Sequence, residues 1–208
     1  MKERGILFTP ENYAKCVAGT KTQTRRIVKP QPPCECEYLI NGASSHALCR
    51  SLKHPELWVP PKATSKDHRL ACPFGQPGDR IYAKEVHWKY GAFAMTGKGK
   101  RFVAANRDAR FDVTEPADKR WAVDSWRKRS PLFMEKKDAR LWLELTAVRV
   151  ERIQQISYDD ERAEGVTLGR ECNDRHSGFI ALWDSVNGAG AWERNDYVWV
   201  LDFRKVTA

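Results

Sequence analysis

The sequence predicts an α+β domain. Short strand-like runs are interrupted by short helices without the alternating rhythm of a doubly wound parallel sheet, and the most regular run, residues 141–153, alternates over thirteen residues. At 208 residues the chain is long enough for one well-packed core and only marginally so for two, so one domain with insertions is expected. A hydrophobic fraction of 41% with 11 prolines fits a soluble globular protein, and no run approaches the roughly eighteen apolar residues of a membrane span. Met1-Lys2-Glu3-Arg4-Gly5-Ile6 lacks the apolar core of a signal peptide, and the expected location is the cytoplasm.

Arg4 to Phe8 is short and apolar and reads as the first strand. Thr9-Pro10-Glu11 then opens a helix, with a capping hydroxyl, a proline where no amide donor is needed and an acid in the first turn. Tyr13, Val17 and Cys16 would face inward, and Gly19 would close the helix as a left-handed cap. Residues 21–28 should continue as an extended segment. Period two puts Lys21, Gln23 and Arg25 on one side and Thr22, Thr24 and Arg26 on the other, so Lys21 and Thr24 can meet only if the backbone turns between them.

Residues 30–72 form a Cys/Pro-rich loop with little periodicity. Cys34, Cys36, Cys49 and Cys72, with His46, His54 and His68 nearby, suffice for a structural zinc bound by the four thiolates; reduced, unliganded cysteines are the alternative. Asp79 to Trp88 alternates as a strand, with Ile81, Ala83, Glu85 and His87 on one face. A carboxylate among such neighbours needs a partner or a raised pKa. An ordinary cross-strand salt bridge is the simpler role for Glu85.

A basic insertion spans about residues 89–137, with a hairpin tip or a mobile loop at Gly97-Lys98-Gly99-Lys100, followed by a strand from Arg101 to Ala105. Charge is uneven: 14 Lys/Arg against 8 Asp/Glu in residues 1–88, 14 against 7 in 89–140, and 8 against 12 in 141–208, or +6, +7 and −4. Trp88, Tyr90, Phe93, Phe102, Phe111, Trp121, Trp126 and Phe133 interleave with these cations. Cations track phosphates and aromatic faces stack on bases, so this composition suits a nucleic-acid groove; a solvated basic face over a small core is the other reading.

Residues 141–153 are the clearest strand. Ser157-Tyr158-Asp159-Asp160 has the form of a capping box, opening a short helix closed by Gly165. A second helix is expected over 178–186, burying Phe179, Leu182, Trp183 and Val186, and Asn187-Gly188 ends it. Tyr197 to Val206 closes the chain as a strand with Tyr197, Trp199, Leu201 and Phe203 on one face.

Two stretches carry a resemblance. Gly19-Thr20-Lys21-Thr22-Gln23-Thr24-Arg25-Arg26 and the later Pro77-Gly78-Asp79-Arg80 strand, together with Lys29-Pro30-Gln31-Pro32 and the closing Trp199-containing strand, resemble the ASCH domain family, in particular a phage and prophage subgroup. Gly19, Lys21 and Arg26 match the family's Gly-x-Lys-x-x-Glu-x-Arg signature, and Thr24 stands where the glutamate usually is. That departure is similar to the branch that hydrolyses N4-acetylcytidine with a lysine, a threonine three residues later and a glutamate from a later strand. The resemblance spans about residues 4–30, 72–88 and 138–206, leaving the middle uncovered. It implies a small PUA-like β-barrel with helices at its rim and a cleft between barrel mouth and first helix. It also assigns catalysis to Lys21, Thr24 and Glu85.

The chemistry this implies is hydrolysis of an acylated exocyclic amine of a cytosine nucleoside. Thr24 would be the nucleophile, inert until a base takes its proton. Lys21 could be that base only when neutral, well below the roughly 10.4 of a free lysine. Arg25, Arg26 and His87 would contact substrate or nucleic acid, an arginine receiving a phosphate or an oxyanion. No cofactor is required. The expected partner is a modified cytidine nucleoside, or RNA or DNA carrying one. A module that binds RNA or modified DNA without amidohydrolase activity, possessing ribonuclease activity in one variant, and a phage interaction protein are the rival readings.

Overall fold

In a computed structural model of the chain, residues 1–31, 37–40, 46–50, 70–105, 107–111, 124–166 and 176–206 are described, those at 37–40, 46–50 and 70–71 by backbone alone. The architecture is α+β. Five strands make the main sheet: β1 (Glu3–Leu7), β2 (Gln23–Ile27), β6 (Arg80–Lys84), β10 (Trp142–Arg152) and β11 (Tyr197–Val206). Their order is β1-β6-β10-β11-β2, with β1 and β6 parallel and the other neighbours antiparallel. Among the described residues this order runs from edge to edge without closing on itself, so β2 is an edge strand. β3 (Glu37–Ile40), β4 (His46–Arg50) and β5 (Leu70–Ala71) form one small sheet. β7 (His87–Thr96), β8 (Gly99–Ala104) and β9 (Ser125–Arg129) form another, with β7 in the centre.

Helix α1 (Pro10–Ala18) begins and ends on local chemistry. The Thr9 hydroxyl accepts from the Asn12 amide at 3.3 Å, and Gly19, at φ 77°, turns its own N–H back onto the Cys16 carbonyl. Helix α2 (Tyr158–Ala163) is held by a reciprocal box in which Ser157 and Asp160 cap each other's amides. Helix α3 (Ser177–Asn187) completes the set among the described residues.

β10 explains how one sheet presents both an apolar core and a charged face. Leu143 and Leu145 point inward, a bulge between Leu145 and Ala147 slips the register, and Val148 and Val150 then point inward. The slip puts Arg149 and Glu151 opposite that core. β11 is buried on both faces: Tyr197, Trp199, Leu201 and Phe203 meet Ile6, Ile81 and Leu143, while Val198 and Val200 meet Ile153, Phe179 and Trp183. A strand covered on both faces reads as a near-continuous apolar run, as Tyr197 to Phe203 does.

Three sequence expectations need correction. Val17 of α1, expected to face inward, is exposed, and Cys16 is the buried residue of that helix. Asp79 to Trp88 is not one strand: β6 stops at Lys84 and β7 starts a different sheet at His87. Glu85 leaves the ladder, its amide donating to the Met134 sulfur at 3.2 Å. Among the α3 residues, Phe179 and Trp183 are buried, but Leu182 is half-buried and Val186 exposed, because their side of the helix faces a cleft. Among the described residues no helix is long and apolar enough to cross a membrane.

Leu201→Ala, at a fully buried position shared by β11 and the core, should cost about 2–5 kcal/mol. Thr9→Ala should cost about 1 kcal/mol through loss of the α1 cap. Chemical denaturation of the two variants checks that order; a Thr9→Ala loss equal to that of Leu201→Ala would contradict the packing described.

Candidate active site

The site is built on the free edge of β2. Val28 donates to the Tyr197 carbonyl and Phe203 to the Thr22 carbonyl, so even-numbered residues of this stretch bond to β11 and the backbone groups of Gln23, Arg25 and Ile27 point away from it. Along this edge lies a cavity of about 440 Å³. It takes Leu7 and Phe8 from β1 and its end, Thr9 and Asn12 from α1, and Lys21 to Ile27 in part from the edge itself. The opposite side is Ser130-Pro131-Leu132 and the α3 residues Phe179, Leu182 and Trp183.

Lys21 and Thr24 both reach this cavity. The turn they require is present: residues 21 and 22 precede β2, with the Lys21 amide on the Lys15 carbonyl and the Thr22 amide on the Ala163 carbonyl. Lys21 is only 2% exposed. Its Nζ donates to the Glu164 carbonyl at 2.9 Å and to the Glu164 carboxylate. Gly165 lets that carbonyl come close, since it sits at φ 79° and a Cβ there would meet the Lys21 Cβ at 3.3 Å. Thr24 is buried at 5% exposure, and no hydrogen bond engages its hydroxyl among the described residues.

Glu85, the carboxylate expected from the sequence, is elsewhere. Arg140 holds it with two bonds of 3.0 and 2.6 Å, and it does not line the cavity. Beside it, burial and the Glu85 carboxylate push the Tyr13 phenol up to about 12. The carboxylate that faces Lys21 is Glu164, whose only sequence signal is its place in an acid-rich helix beside Gly165.

The terminal nitrogens of Arg25 are taken by its neighbours, while its Nε, like that of Arg26, is a buried donor without an acceptor among the described residues. Its guanidinium donates to Glu151 at 2.6 Å and Glu164 at 3.3 Å, approaches Asp160 at 3.2 Å, and also donates to the side-chain amide oxygen of Gln23. Arg149 meets Glu151, Asp160 and Asp202 at 3.2, 2.8 and 2.5 Å, and the Gln23 amide bridges Asp160 and Asp202 at 2.8 and 2.6 Å. Burial alone would raise the Asp160 carboxyl, but Gln23, Arg25, Ser157 and Arg149 together hold it down at about 2.

Arg26 differs. It leans over the Phe8 ring at 5.5 Å and donates to the Leu7 carbonyl, with no carboxylate in ion-pair range among the described residues, and burial lowers its pKa. Its Nε and the Trp183 indole nitrogen are buried donors without an acceptor in the cavity wall. Cys16 is no rival nucleophile, since burial pushes its thiol up to about 11.

His87 is fully buried with Nδ1 3.3 Å from the Glu85 carbonyl, and burial lowers its pKa, so the ring is neutral near pH 7. It lines a different cavity. Of the proposed zinc ligands, Cys34, Cys36 and the Cys49 side chain lie outside the described residues, and Cys72 is buried in the apolar core beside Ile6 and Ile81. Among the described residues no three His, Cys, Asp or Glu side chains are grouped as a metal ion would need. Comparisons of the chain with models of known families, with curated proteins and with solved structures give no match.

Asp160 supplies the site's pH test. Its folded pKa lies below the ordinary aspartate value of 3.8, so its contribution to stability is present above about pH 4 and is lost as pH falls from there toward 2. The loss should be on the order of 2 kcal/mol. Denaturation midpoints measured between pH 2 and 7 should show this fall, and Asp160→Asn should be less stable at pH 7 and flatter with pH.

Proposed function

We propose that this cavity hydrolyses an acyl group from the exocyclic amine of a modified cytosine nucleoside of the N4-acetylcytidine type, on an ASCH-like domain of PUA-like build. The observation that carries this reading is that Lys21, Thr24 and the Glu164 carboxylate share one cavity of nucleoside-accommodating size. Phe8, Phe179 and Trp183 supply flat apolar walls for a base, and the unsatisfied donors of Arg26 and Trp183 supply polar contacts for it.

Thr24 Oγ1 attacks the acyl carbon while its proton passes to Lys21 Nζ, which gives one of its own to Glu164. This relay takes the place of the lone lysine base expected from sequence, because Lys21 Nζ already donates to a carboxylate that can receive the proton. Arg26 balances the oxyanion. The carbon–nitrogen bond then breaks as the amine takes the proton back through the same pair, leaving an acyl-threonine ester and the deacylated nucleoside, cytidine. Water, deprotonated by the same relay, cleaves the ester, releasing the carboxylic acid and restoring Thr24.

One observation favours a second reading, a module that binds the modified base without turnover: Lys21 is satisfied by Glu164 and, among the described residues, nothing hydrogen-bonds the Thr24 hydroxyl. Chromatography of N4-acetylcytidine incubated with the protein separates the two. Release of cytidine is expected; binding without release would support the module. Thr24→Val, which keeps the shape, should lower kcat at least about 100-fold, and Glu164→Gln about 10- to 100-fold. Glu85→Gln should stay within about twofold, as its carboxylate is held by Arg140 away from the cavity wall. A Glu85→Gln loss larger than that of Glu164→Gln would return the carboxylate role to Glu85.

A further inference from the structure

A second cavity, of about 580 Å³, lies in the basic insertion. Its walls carry Lys89, Arg101, Arg107, Arg129 and Lys137 against one carboxylate, Glu135. Lys89 is neutralised by Asp138 at 2.7 Å and Lys137 by Glu135 at 3.0 Å. The three arginines are not: among the described residues no carboxylate lies within ion-pair range of any of them. Arg129 is half-buried and held instead over the Phe102 and Phe133 rings at 4.5 and 4.8 Å. Arg107 lies over Tyr90 at 4.2 Å. A partly desolvated cation backed by aromatic faces rather than carboxylates is costly alone and favourable once an anion arrives. Deeper in the wall, His87 is fully buried with Nε2 unpartnered.

The two cavities share a wall. Ser130, Pro131 and Leu132 line the first, while Arg129 and Phe133, the residues on either side of them in sequence, line the second. The 3-10 turn Pro131–Phe133 is thus a ridge between them, and its Leu132 and Phe133 are 63% and 62% exposed. Large apolar side chains that stay exposed between a base-sized cleft and a cationic pocket are placed to meet something with both flat faces and negative charge.

We propose that the second cavity binds the phosphodiester backbone of a single-stranded nucleic acid that crosses this ridge, stacking a base on Phe133 and passing the adjacent nucleotide into the first cavity. The proposal rests on the deacylation reading only for the identity of the nucleotide in the first cavity, and it makes the natural substrate a polymer rather than a free nucleoside. Single strands fit and duplexes do not, because stacking on Phe133 needs an unpaired base face.

The test is fluorescence anisotropy of a labelled, unmodified single-stranded RNA of about fifteen nucleotides at two salt concentrations, beside the same sequence as a duplex. Arg101→Ala and Arg107→Ala alter exposed side chains, and thermal melts confirm that each variant is folded. Each should weaken single-strand binding about tenfold and flatten the salt dependence by about one phosphate contact. Phe133→Ala should weaken it about fivefold or more and bring it to the level of the duplex. All three should turn over free N4-acetylcytidine as the parent does. Variants that bind RNA like the parent would overturn the proposal even if nucleoside turnover is robust. Loss of RNA binding in a protein that never releases cytidine would sustain it and reject the deacylase instead. Duplex binding equal to single-strand binding, insensitive to Phe133→Ala, would also overturn it.

Discussion

Arg25 is the group on which the rest of the site depends. A guanidinium with no exposed side-chain surface must be paired, and it is surrounded by Glu151, Asp160 and Glu164 from two different elements and the loop after α2. Those carboxylates in turn engage Lys21 and Arg149, and Asp202 of β11 joins through Arg149 and Gln23. Networks of this kind add little net stability, because desolvation offsets much of the attraction. Their consequence is positional. Removing one member leaves its partners charged and buried, so β2, β10, β11 and the end of α2 are confined to the arrangement that satisfies all of them.

The edge position of β2 converts that arrangement into a cavity. An interior strand would present its two faces to separate layers. At the edge, residues from both faces can reach one cleft: Thr24 and Arg26 from the side of Phe8, Arg25 and Ile27 from the side of Phe179. The two neighbouring arginines then have opposite roles. The terminal nitrogens of Arg25 are taken by carboxylates, whereas Arg26 has a carbonyl and an aromatic ring beside it and no ion-paired carboxylate among the described residues. A cleft that sets a cation without an ion pair against aromatic walls is suited to a planar, polar ligand.

The insertion repeats this division of charge. Its cations are numerous, but Lys89 is spent on Asp138, while Arg101, Arg107 and Arg129 rest beside aromatic rings or in the open cavity. Because residues 129–133 belong to the walls of both cavities, the insertion is part of the site's surroundings rather than a separate appendage.

The parts of this protein legible in the sequence are those whose physics is local. The α1 cap by Thr9 and Gly19, the Ser157–Asp160 box, the hairpin tip at residues 97–100 and the alternation of β10 each depend on residues a few positions apart. So does the concentration of positive charge before residue 141. Lys21 and Thr24 line one cavity, and the turn before β2 that places Lys21 there follows from Gly19 and the late start of β2. The carboxylate that Lys21 contacts is not legible in the sequence. Glu85 belongs to an alternating run whose ladder stops early, since β6 ends at Lys84 and Arg140 takes the acid. Glu164 lies 143 residues from Lys21, and their meeting depends on the sheet order and on how α2 returns to β2, which no local pattern encodes. Tertiary structure likewise decided which arginines are neutralised and which face a cavity, because charge pairing depends on distance through space, and composition records only the number of charges.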